Sequence, residues 1–155
     1  MMKAEKSHGD EEASTALILA VLLHGLAICT AIAGVVLVAD RNSWAQPSLL
    51  VGNEPPGRVV ALGVVYVLCQ VAFAFFSAMD VYTYQLQSMA VTGIGVAFGG
   101  ISTILGGAYT VLAALALNVA SFWLFVIAFL ATAIVYALQC AGIVTGLLRD
   151  MPLSR

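Results

Sequence analysis

Residues 81–148 read VYTYQLQSMAVTGIGVAFGGISTILGGAYTVLAALALNVASFWLFVIAFLATAIVYALQCAGIVTGLL, without one Asp, Glu, Lys or Arg. A bilayer core about 30 Å thick is crossed by about 20 apolar residues in helical conformation. The stretch is therefore long enough to cross twice, with a turn in its middle. Asn118 is the strongly polar side chain closest to that middle, so the turn is expected there. This gives a third helix over about 88–117 and a fourth over about 119–148. The Gly106-Gly107 pair competes as a break point, but a turn there would leave helices of very unequal length.

Working outward, the same pattern recurs twice. No charge lies between Ala13 and Ala39, and none between Val59 and Met79. Each of these runs crosses once, predicting helices over about 13–39 and 59–79. The chain of 155 residues is 62% hydrophobic and only 9% charged, with a mean hydropathy of +1.03. A soluble domain of this size carries about 25% charged residues, and a single small core could not hide so much apolar surface. The expected fold is all-α, an integral membrane bundle of four transmembrane helices. The runs are continuous rather than alternating, which excludes a β-barrel. No repeat relates the two halves, which speaks against an inverted-repeat carrier.

Around this domain, 13–150, stand a polar tail over 1–12 and a short tail over 151–155. The start lacks the basic head and small-residue cleavage site of a secretory signal. Asp10, Glu11 and Glu12 suit the first turn of a helix, where backbone N–H groups are unpaired. Between the first two helices, Asp40 to Arg58 carries Asn42, Pro47, Gly52, Asn53, Pro55, Pro56 and Gly57, all turn or break signals. It is read as a loop capping the bundle, with Trp44 at headgroup level and the apolar run Leu49-Leu50-Val51 beside it. Polar residues from Asp80 to Gln87 form the turn between helices two and three. With four spans both ends share a side, which carries Lys3, Lys6, Arg149 and Arg155 against Arg41 and Arg58 opposite. The excess of basic residues predicts cytoplasmic termini.

Chemistry is sparse. The net charge of −2 and the scattered basic residues give no surface for nucleic acid. Cys29, Cys69 and Cys140 fall in three different spans, which argues against a disulfide framework and suits small buried hydrophobes. His8 is in the tail. His24 is the ionisable nitrogen within a span and so a functional candidate by default. No second span supplies a His for a bis-histidine haem, nor a nearby set of ligands for zinc. The expectation is a neutral His24 hydrogen-bonded to a neighbouring helix. No span holds the carboxylate that proton- or ion-coupled carriers use, and no CxxC pair, catalytic triad or phosphate loop can be assembled. The reading is therefore not an enzyme, with no cofactor and no metal.

The glycines carry more information. Gly95-Val96-Ala97-Phe98-Gly99 is a GxxxG. Gly93, Gly100 and Gly107 recur at seven-residue spacing, while Gly95, Gly99, Ser102 and Gly106 follow a second stripe. Two adjacent faces of helix three are nearly bare, and bare faces let another helix approach closely in lipid. The six glycines Gly93, Gly95, Gly99, Gly100, Gly106 and Gly107 are the candidate association residues, within the bundle or between chains.

In helix two, Tyr66, Gln70 and Val71 lead to Ser77-Ala78-Met79-Asp80-Val81-Tyr82. This segment resembles the second helix of the plant and algal CASP-like proteins, relatives of the Casparian strip membrane proteins within the wider MARVEL group. Some of those end this helix in a similar Asp-Val-Tyr. The four-span size and small-residue third helix are similar too. The family's Arg in helix one and Asp in helix three have no counterpart here, and the second outside loop is nearly absent. Its signature residues are therefore not carried over. The resemblance implies a non-enzymatic plasma-membrane scaffold that forms homo- or heterodimers. The function expected is a non-catalytic scaffold in the lipid bilayer, acting by lateral homo- or hetero-association with membrane proteins. The alternative is a small accessory subunit of a larger respiratory or photosynthetic membrane complex. A transporter component is disfavoured by the missing charges.

Overall fold

The computed structural model describes residues 2–45, 57–82 and 89–150, and the side chains of 18–40, 42–45, 57–79 and 91–142. The run Leu49-Leu50-Val51 and the turn residues 83–88 lie outside the described residues. Four α-helices make up the fold: α1 Met2–Ala39, α2 Gly57–Tyr82, α3 Met89–Ala116 and α4 Val119–Asp150, with a 3-10 turn at Arg41–Ser43. Each contains a segment long and apolar enough to cross a membrane: Ile18–Ala39, Gly57–Met79, Val91–Ala116 and Val119–Gly142. Among the described residues there is no β-strand, only one isolated bridge between Trp44 and Leu117.

The helices form a ring in chain order. α1 packs on α2 and extensively on α4, and α3 packs between α2 and α4. α2 and α4 thus face one another across the bundle. One end holds the close of α1, the start of α2, the end of α3 and the start of α4. Tyr109 Oη donates to the Val59 carbonyl across this end, and the Trp44–Leu117 bridge closes it. At the other end Gly95, Phe76 and Gln139 come together.

Helix α1 begins at Met2 rather than at Ala13. The segment read as a polar tail continues the helix, since it contains no proline and is rich in the helix formers Ala, Glu and Lys. Asp10, Glu11 and Glu12 therefore lie inside α1 and not in its first turn. The break between α3 and α4 falls at Leu117-Asn118, and Gly106-Gly107 is continuous helix within α3. Asn118 caps α4. Its Oδ1 accepts from the Ser121 backbone N–H at 3.0 Å and from the Ser121 hydroxyl at 3.0 Å, satisfying a donor that a helix start leaves unpaired.

Trp44 does not sit at the surface as an interfacial anchor. It is 6% exposed and belongs to the core. Its indole N–H donates to the Val38 carbonyl at 3.0 Å. On either side of it, Ala45 N–H donates to the Ala116 carbonyl and Asn118 N–H to the Ser43 carbonyl, each at 2.9 Å. These two bonds turn the segment after α1 inward over the end of the bundle, so the ring is driven between helices rather than toward water. A buried indole requires a partner for its N–H, and the last turn of α1 supplies one. The tryptophan on the outside is Trp123, 56% exposed near the start of α4.

Under Trp44, small and aromatic residues interlock. Tyr109 of α3 stacks on Tyr66 of α2 at 5.7 Å and on Phe125 of α4 at 5.2 Å between ring centroids. Ala31, Ala113, Ala116 and Ala128 fill in around them, together with Val35 and Val38. Offset stacks of this kind add about 0.5–1.5 kcal/mol per pair beyond area burial. Large apolar side chains point outward on all four helices, among them Leu22, Leu68, Ile104 and Leu138. A bundle clothed in exposed leucine and isoleucine suits lipid rather than water.

Candidate functional site

The interior beyond the aromatic stack is polar. Gln70, halfway along α2, is fully buried. Its amide Nε2 donates to Tyr66 Oη at 3.1 Å and to the Thr132 hydroxyl on α4. Thr132 in turn donates to the Ala128 carbonyl at 2.7 Å. Ser102 of α3 is also fully buried. One level further from the loop end, Phe73 of α2 meets His24 of α1 edge-on at 4.8 Å and Tyr136 of α4 at 6.3 Å. Beyond that lie Ser77 and Gln139. Most of these are small or flat groups, which is why four helices can bring them together.

Several of these groups lack partners. His24 Nε2, Gln70 Oε1, Ser77 Oγ, Ser102 Oγ and both polar atoms of the Gln139 amide are buried without a hydrogen bond. The hydrogen bond expected between His24 and a neighbouring helix is not made by Nε2, and the ring lies edge-on to Phe73 of α2. The four threonines Thr30, Thr103, Thr110 and Thr132 behave differently: each donates to the carbonyl four residues back.

The candidate glycines divide by face. Gly95, Gly99 and Gly106 are buried, and their missing side chains are replaced by residues of α2 and α4, rings at Gly99 and Gly106 and the Gln139 amide with Phe76 at Gly95. A Cβ on Gly99 would lie 2.6 Å from Tyr136 Cδ2 and 2.8 Å from Phe73 Cε2, and one on Gly106 would lie 3.0 Å from Tyr66 Oη. At Gly95 the Cβ would meet Gln139 Nε2 at 3.2 Å and Phe76 Cβ at 3.4 Å. Gly100 and Gly107 are half-buried beside Tyr136 and Phe129 of α4, while Gly93 is exposed with open space around it. Two further glycines, not singled out from the sequence, do similar work. Gly34 of α1 seats Phe125, whose Cζ would be 2.8 Å from an added Cβ, and Gly63 of α2 seats Val35. Neither sits in a GxxxG, so no local signal marks them.

Gln139 could have been noticed in the sequence as an amide inside a charge-free stretch, and Gln70 entered only as part of a resemblance; attention to ionisable groups alone passes over the polar role of both. Among the described side chains no group of three or more His, Cys, Asp or Glu is placed to hold a metal ion. Cys29 is exposed, Cys69 buried and Cys140 half-buried, and all three are free. Asp40 and Arg58 are exposed at the loop end. The described interior thus offers neutral amides, hydroxyls and an imidazole, able to exchange hydrogen bonds but without a fixed charge. No family model, no curated protein and no solved structure matches the chain.

Proposed function

We propose that the chain is a non-catalytic, multi-pass scaffold of the plasma membrane that works by lateral homo- or hetero-association, with both termini cytoplasmic. One observation carries the reading. Gly93 lies on the outward surface of α3, where an added Cβ would meet nothing within 4 Å, and exposed Ala97 follows one turn later. Between helices in lipid, association rests on close van der Waals approach, which small residues permit. The buried glycines are filled from inside the bundle, so this bare patch is left for an outside helix. The distribution of basic residues supports the orientation, and the likeness of helix two to the CASP-like proteins supports the plasma membrane.

The test is native mass in mild detergent or lipid nanodiscs for the wild type and Gly93→Leu. Self-oligomers that Gly93→Leu dissociates without lowering the melting temperature support the scaffold. A strictly monomeric wild type overturns it, and comigration with a large redox complex favours the accessory subunit instead. Reporter tags on the two ends should read the same, cytoplasmic side.

A further inference from the structure

We propose that the bundle interior from Gln70 and Ser102 through His24 toward Gln139 is a binding site for a small uncharged hydrogen-bonding guest. All four helices contribute: His24 from α1, Gln70 and Ser77 from α2, Ser102 from α3 and Gln139 from α4. Six polar atoms on these five side chains are buried without partners. Gln70 and Ser102 are fully buried and His24 is 8% exposed, so these three are out of reach of bulk solvent. Folded proteins leave few such atoms, and each has an explanation such as a bound water or ligand. Local satisfaction was open to the serines, since a helical hydroxyl can donate to the carbonyl four residues back. Thr30, Thr103, Thr110 and Thr132 all do so; Ser77 and Ser102 do not.

The chemistry selects the guest. Gln70 Nε2 is already committed to Tyr66 and Thr132, so its free Oε1 accepts and the guest must present a donor. The Gln139 amide both donates and accepts. None of these residues carries a carboxylate, ammonium or guanidinium group, and an ion taken into an apolar interior without a counter-charge is strongly disfavoured. The guest is therefore neutral: water, or a small uncharged molecule with a hydroxyl or amide. The Tyr66–Tyr109–Phe125 stack and Trp44 close the loop end of this interior.

The experiment uses the full chain in lipid nanodiscs with its glutamine side-chain amides labelled by nitrogen-15. Water-edited solid-state NMR reads magnetisation transfer from water to the Gln70 and Gln139 amides, and mass spectrometry reads any neutral compound extracted from the same sample. Transfer to both amides with nothing extracted identifies internal water. A stoichiometric neutral compound identifies a molecular guest. In either case Ser102→Ala should lose the Gln70 signal or the bound compound, with Ser77→Ala as a second variant should Ser102→Ala not fold. Wild type with neither transfer nor a bound compound overturns the proposal.

Discussion

Gln70 and Thr132 hydrogen-bond across the centre of the bundle, joining α2 to α4, which otherwise sit on opposite sides of the ring. This contact becomes possible because α3, between them, carries Gly99, Ser102 and Gly106 on the face it turns inward. Bulk is absent from one helix, and the side chains of the other two meet in the space. The same geometry sets what mutations should do.

Breaking the diagonal should be measurable but modest. Thr132→Val removes the acceptor for Gln70 Nε2 and should cost about 0.6 kcal/mol of stability, and no more than about 1.7, as interhelical hydrogen bonds in membrane bundles do. Gln70→Leu should cost a similar amount, and the double variant less than the sum. A double-mutant cycle in detergent unfolding measures the coupling. Strict additivity would mean that the two side chains do not act together.

Glycines on the two faces of α3 should respond oppositely to alanine. Gly99→Ala pushes a methyl into Tyr136 and the fully buried Phe73 and should destabilise by about 1–3 kcal/mol through overpacking. Gly93→Ala meets open space and should be neutral or stabilising by up to about 1 kcal/mol, since alanine favours helix. Thermal melts of both variants check the contrast. Gly34→Ala should follow Gly99→Ala, because Phe125 occupies its place.

Trp44 and Trp123 should separate by fluorescence. Trp44→Phe leaves Trp123, which is exposed and should be quenched by lipid-attached quenchers. Trp123→Phe leaves the buried Trp44, which those quenchers should barely reach. Trp44→Ala should destabilise by about 3–5 kcal/mol, as truncation of a buried aromatic does; Trp44→Phe should cost less, losing mainly the bond to the Val38 carbonyl.

The cap of α4 gives a more local check. Asn118→Ala loses the bonds from the Ser121 N–H and hydroxyl and should cost about 1 kcal/mol. Asn118→Asp keeps an acceptor and should retain most of that stability. Equal loss in both would mean that the acceptor oxygen is not what Asn118 contributes to the cap.

Helices, and their number, were legible from the chain alone. Without water to bond backbone groups, a long apolar run has to satisfy them internally, so three charge-free stretches of sufficient length led to four helices. The break near Asn118 was legible for a local reason too: the residue that caps a helix is its neighbour in sequence. The roles of His24 and the individual glycines were not, because they depend on how far each helix is rotated about its own axis, and that of Trp44 was not, because bonds to Ala116 and Asn118, distant in sequence, turn its segment inward. Helix α3 offers two bare stripes, Gly93-Gly100-Gly107 and Gly95-Gly99-Ser102-Gly106, that are equally suited to packing when read as sequence. Packing against Phe73, Tyr136 and Tyr66 turned the second stripe inward and left Gly93 outside. The rotation that did so also enclosed Gln70, Ser102 and His24 together. Such an arrangement arises from rings and amides on helices distant in sequence competing for one small volume, and that competition exists only once all four helices are in place.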